Sequence, residues 1–190
     1  MSIRLSLLAV VGAVLAASSA SATPYDFTPL AGDRLPTTFD GATFSSTAGN
    51  HYVFGPNSGL FSTLAPTVLS EGGFSGAPLT ITFSAPVTSY SLHFALGDFF
   101  GIGGDDFLTV TPSGGDFAAQ RYASSIPGSD DYPQGVVSAT GVDITSLTLT
   151  SAYAIVISNL VTTSASVPEP LSIAVLGAGL VGLFGARRRG

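Results

Sequence analysis

The residues in this sequence with the most capacity for chemistry are its carboxylates, its two histidines and its six tyrosines; cysteine, tryptophan and lysine are absent. Three carboxylates fall close together: Asp98, Asp105 and Asp106 lie in GDFFGIGGDDFLTV, a glycine-rich connection between two apolar runs. Calcium takes roughly six to eight oxygen ligands, and closely spaced aspartates among glycines offer it carboxylates and carbonyls. A calcium site at these three residues is one expectation; a hairpin loop in which Asp and Gly serve turn geometry is the other. No other cofactor is expected. A second pair, Asp130 and Asp131 in PGSDDYPQG, reads as a solvated loop.

Catalytic constellations are hard to assemble from what remains. Without cysteine there is no thiol nucleophile, no thiolate metal site and no disulfide framework. His51 and His93 are the two histidines, and neither an H-E-x-x-H nor a G-x-S-x-G pattern occurs. Paired carboxylates suit glycoside hydrolysis only at a spatial separation that sequence does not set. His93 alternates with Ser89 and Ser91 on the polar side of a strand, which reads as an exposed surface histidine. The expectation is a non-catalytic protein. Sugar recognition by stacked aromatics falls, in the absence of tryptophan, to Tyr25, Tyr52, Tyr122 and Tyr132. Tyr122 and Tyr132, near or in loops, are the candidate ligand contacts.

Charge narrows the partners. From Thr23 to Pro170 twelve carboxylates face two arginines, Arg34 and Arg121, a net charge of −10. Such a segment repels nucleic acid and anionic headgroups, so no nucleic-acid partner is expected.

The elements that must position these residues read as strands. PLTITFS places Ile81 and Phe83 on one face and Thr80 and Thr82 on the other. In TSYSLHFALG, Tyr90, Leu92, Phe94 and Leu96 point one way and Ser89, Ser91, His93 and Ala95 the other, the period of a half-buried strand. DFLTVT, FAAQRYAS, GVVSAT, ITSLTLTS and AYAIVISNL continue the series, with weaker strands at ATFSS and HYVFG. No sustained helical period appears; at most a helical turn is expected near Leu60 to Leu69. Eight or more strands without intervening helices predict an all-β domain over 23–166, an antiparallel β-sandwich or jelly roll with a phenylalanine-rich core.

The two ends differ from this middle. MSIRLSLLAVVGAVLAASSASA has Arg4, a thirteen-residue apolar run from Leu5 to Ala17, and small residues Ala20 and Ala22 in the spacing that signal peptidase accepts. Residues 1–22 are therefore expected to be a signal peptide cleaved after Ala22. At the other end, Ile173 to Gly182 reads IAVLGAGLVG, which contains the G-x-G-x-x-G spacing of a dinucleotide-binding turn. That fingerprint needs a helix, a second strand and an acidic residue ~20 positions on, whereas eight residues follow Gly182, three of them arginine. The nucleotide reading fails on length. Instead, Leu171 to Ala186 is a charge-free run that spans ~24 Å as a helix, short of the ~30 Å hydrocarbon core but extended by its flanks. Ala174, Ala178, Gly182 and Ala186 give that helix one small-residue face. Arg187, Arg188 and Arg189 form a stop that stays on the cytoplasmic side.

Val167, Pro168, Glu169 and Pro170, then the apolar helix of 171–186, then the arginine cluster of 187–189, together resemble a PEP-CTERM sorting signal, the tail of exosortase substrates in Gram-negative bacteria. The resemblance covers 167–190. It implies recognition at Pro168, Glu169 and Pro170, removal of the tail near that motif, and a mature form at the cell surface or in the extracellular matrix. The implied partners are signal peptidase and exosortase during export, the inner membrane transiently, and extracellular polysaccharide of a biofilm. The strand series at 87–110 and 144–160 is similar in pattern to exported β-domains joined to such tails. The functional expectation is a structural surface protein, with a carbohydrate-binding module, calcium-assisted or not, as the alternative.

Overall fold

The computed structural model describes residues 21–47, 51–57, 59, 61–72, 76–97, 107–114, 119–125 and 132–164. They fall within one compact unit, 20–165. The described residues form ten strands: β1 (Ala22–Pro24), β2 (Thr37–Phe39), β3 (Ala42–Ser46), β4 (Tyr52–Pro56), β5 (Thr67–Glu71), β6 (Leu79–Gly97), β7 (Phe107–Ser113), β8 (Gln120–Ala123), β9 (Gln134–Thr150) and β10 (Ala154–Ser164). A 3-10 turn at Thr28–Leu30 is the helical element among them. Every strand pairing is antiparallel, so the all-β expectation holds. Among the described residues no helix is long and apolar enough to cross a membrane; the expected signal peptide up to residue 20 and the expected sorting tail of 167–190 lie outside them.

Two long strands organise the sheet. β6 and β9 pair from Leu79 opposite Leu149 to Ala95 opposite Gln134, with register shifts between Thr82, Val87 and Ser89. Such bulges bend a strand and increase its twist, and Pro86, which has no N–H to donate, sits at the bend. Before the bend β6 pairs with β3, and the matching end of β9 pairs with β7. Beyond it β6 pairs with β10. Each long strand therefore belongs to two half-sheets. One runs β2-β3-β6-β9-β7-β8; the other runs β4-β5-β10-β6-β9, with β1 added to β10.

Alternation along the strands gives each half one apolar face. Leu79, Ile81 and Phe83, then Tyr90, Leu92, Phe94 and Leu96 beyond the bend, are all buried. Phe44 of the first half-sheet meets Phe54 of the second, and Phe27 packs edge-on against both. The two halves thus close over one shared core as a sandwich.

Several details depart from the sequence reading. Leu60 to Leu69, where at most a helical turn is expected, makes a single turn, the Leu64 amide donating to the Phe61 carbonyl at 3.2 Å, and then enters the strand β5. Pro66 biases Ala65 toward extended backbone, and β-branched Val68 continues it. GVVSAT and ITSLTLTS are one strand, β9, carried through its bend. Ala95, expected on the polar side, is fully buried beneath Leu64, Val68 and Val156. The connection that carries the aspartates is not a hairpin, because β6 and β7 both pair with β9 and not with each other.

Candidate binding surfaces

The residues nominated from sequence scatter over the domain. Asp98, Asp105 and Asp106, the pair Asp130 and Asp131, and the sorting residues 167–170 and 187–189 lie outside the described residues. Among the described residues no three His, Asp or Glu side chains gather as a metal site. Ala22, the expected cleavage residue, begins β1 and pairs with Thr163; Ala20 lies outside. Tyr25 and Tyr52 are buried in the core, which removes both from sugar stacking. Tyr122 is half-buried in β8, its hydroxyl donating to Gln120 Oε1 at 2.6 Å. Tyr132 packs its ring against Phe61 at 5.4 Å.

His93 is a correction. It is half-buried rather than an open surface residue, because residues 61–66 fold over that part of β6. Its Nδ1 lies 2.9 Å from the Thr63 carbonyl oxygen, so Nδ1 is the donor. It lines an open groove of about 510 Å³ with Asp26, Pro66, Ser91, Asn159 and Val161. The Asp26 carboxylate accepts from the Thr28 amide at 2.9 Å. The Thr28 hydroxyl first, and this amide second, hold its carboxyl below the usual carboxylate range.

The outward face of the first half-sheet carries a feature that no single strand revealed. Register places Thr38, Thr43, Thr82, Ser146 and Ser113 side by side in one row across five strands. A second row holds Ser45, Thr80, Thr148 and Thr111. A third runs from Thr150 through Thr109 to Arg121. Their alternates Phe44, Ile81, Leu147, Leu149 and Val110 are fully buried, which fixes the hydroxyls on the outer side. Neighbouring hydroxyls bond to each other, Thr38 with Thr43 at 2.9 Å and Ser113 with Ser146.

At the corner of this face Arg121 lies over the Phe107 ring, its guanidinium carbon 4.0 Å from the ring centroid. Thr109, Thr150, Ser151 and Tyr153 complete a cavity of about 470 Å³ around the pair. Sequence reasoning missed this site. The T-x-T spacing of LTIT, LTVT and LTLT was visible strand by strand, but their alignment into rows depends on pairings between residues as far apart as Thr80 and Thr148.

No protein-family model and no curated protein matches the chain. Among solved structures, the K1 cleaved adhesin domain of Lys-gingipain from Porphyromonas gingivalis aligns at 10% identity and TM-score 0.47, covering 76% of this chain and 99% of that one. The K2 adhesin domain of Lys-gingipain aligns at 13% identity and TM-score 0.45, covering 75% and 99%. A variant of a family 29 carbohydrate-binding module aligns at 12% identity and TM-score 0.38, covering 80% and 99%. At these scores the likenesses say nothing about what this chain binds.

Proposed function

We propose that the chain is an exported, non-catalytic surface or matrix protein whose β-domain is the cargo of an exosortase-type sorting tail, working in association with extracellular polysaccharide. The observation that carries this reading is the order Val-Pro-Glu-Pro, apolar run, triple arginine at 167–189, in a chain that opens with a signal-peptide pattern. Two prolines keep the motif extended beside the membrane helix, where an enzyme can grip the backbone. The geometry of the domain suits processing at both ends. Ala22 pairs with Thr163 and Thr23 with Thr162, so the first and last strands lie side by side. Cleavage after Ala22 and near residue 167 leaves the pairing of Thr23 and Pro24 with β10 in place. Replacing Pro168, Glu169 and Pro170 with alanine in the native host tests the proposal. Unprocessed precursor should accumulate in the inner membrane; normal processing and release would contradict it.

A further inference from the structure

We propose that the hydroxyl rows of the first half-sheet and their Arg121–Phe107 corner form a docking surface for an uncharged polysaccharide. The proposal takes its setting from the surface display proposed above, but its chemistry rests on the domain alone. Charge speaks first. The span from Thr23 to Pro170 carries a net −10, yet the three rows hold no carboxylate and a single cation, Arg121. A polyanion is repelled by the rest of the molecule and meets one attractive point on this face. A polycation meets no counter-charge in the rows. An uncharged, hydroxyl-rich chain docks without desolvating an unpaired charge.

Spacing and donor chemistry point the same way. Rows recur about every 6.7 Å along the strands, with side chains about 4.8 Å apart across them, so the face is an extended lattice rather than a pocket. Each Ser or Thr hydroxyl both donates and accepts, as a sugar hydroxyl does. The corner supplies what the rows lack. Phe107 is half-exposed on the outward side, and the Arg121 guanidinium, its carbon 4.0 Å from the ring centroid, is a planar fork of donors suited to adjacent sugar hydroxyls. Thr109, Thr150 and Ser151 ring the same cavity. Each hydroxyl contact displaces water and contributes little. Affinity must therefore come from many contacts along one polymer, so binding should grow with chain length.

The test is native affinity electrophoresis of the full chain in non-ionic detergent, through gels containing hydroxyethyl cellulose, galactomannan or polygalacturonate. The expected result is retardation by at least one of the two uncharged polymers and none by polygalacturonate. Thr80→Val, Thr111→Val and Thr148→Val combined keep side-chain shape and strand propensity while deleting three hydroxyls; they should weaken retardation roughly threefold or more. Arg121→Gln, at an exposed position, should do the same independently, and circular dichroism should show both variants folded. No retardation by either uncharged polymer, or retardation by polygalacturonate alone, overturns the proposal. So does retardation unchanged in folded variants, or a concentration-dependent dimer that the same substitutions abolish, which would make the face a self-association surface. Because no step depends on export, failure here and failure of the sorting proposal are separate results.

Discussion

Phe44 of β3 and Phe54 of β4 come from opposite half-sheets and meet edge to face, their ring centroids 5.6 Å apart at 90°. Phe27 closes the triangle, 5.6 Å from one and 5.2 Å from the other. Phe44 and Phe54 are fully buried, so neither ring can be replaced by solvent. This triad is where the bent sheet is locked against itself.

Phe44→Ala should lower unfolding free energy by about 3–5 kcal/mol, the usual cost of removing a buried phenyl ring with partial collapse of the cavity. Phe54→Ala should cost a similar amount, and the double variant less than the sum, because the two deletions share one contact. Denaturant titration reads all three. Additive losses would mean that the rings do not support each other.

Gly114 has φ +101°, and a Cβ built on it would collide with the Asp143 carbonyl oxygen. Asp143 is itself left-handed at φ 59°, so neither backbone can yield cheaply. Gly114→Ala should lose ~1–3 kcal/mol through backbone strain alone. Gly55, which has open space around its would-be Cβ, supplies the contrast: Gly55→Ala should change stability by less than about 0.5 kcal/mol. Equal effects at the two positions would contradict the close approach.

The Tyr52 hydroxyl is buried and donates to the Ala77 carbonyl at 2.7 Å. Burial first, and the Glu71 carboxylate second, push its pKa well above the usual tyrosine value. Burial first, and the neighbouring Tyr122 hydroxyl second, do the same to Tyr90. Above pH ~10 the unfolded chain releases these protons while the folded one keeps them, so the folded state binds more protons and stability falls as pH rises. Each tyrosine contributes up to ~1.4 kcal/mol per pH unit there and nothing at neutral pH. Denaturation midpoints from pH 8 to 12 check this; Tyr52→Phe together with Tyr90→Phe should flatten the decline, and an unchanged slope would refute it.

The legible parts of this fold were those governed by one strand at a time. Leu79, Ile81, Leu92 and Phe94 alternate with polar residues because one face of β6 is buried and the other is not, and that period survives in the sequence. What escaped depends on partners distant in the chain. β1 is three residues long and exists because Ala22 to Pro24 find Val161 to Thr163. Ala95 and His93 were read as outward polar-face residues, but residues 61–68 return to cover them. Tyr25 and Tyr52, two of the four tyrosines named as candidates for sugar stacking, are in the core; nothing in a lone tyrosine tells whether its ring faces inward. Arg121 drew attention only as a count of charge, although its place over Phe107 makes it the single cation of the hydroxyl face.

The domain is proposed to be a delivered cargo, freed from both of its apolar ends. Intact-mass analysis of the form recovered from the cell surface or culture medium tests it most directly. The account predicts a chain beginning at Thr23 and ending near Val167, without the arginine cluster at 187–189. Recovery of an uncut chain carrying Met1 to Gly190 from the cytoplasm would contradict it.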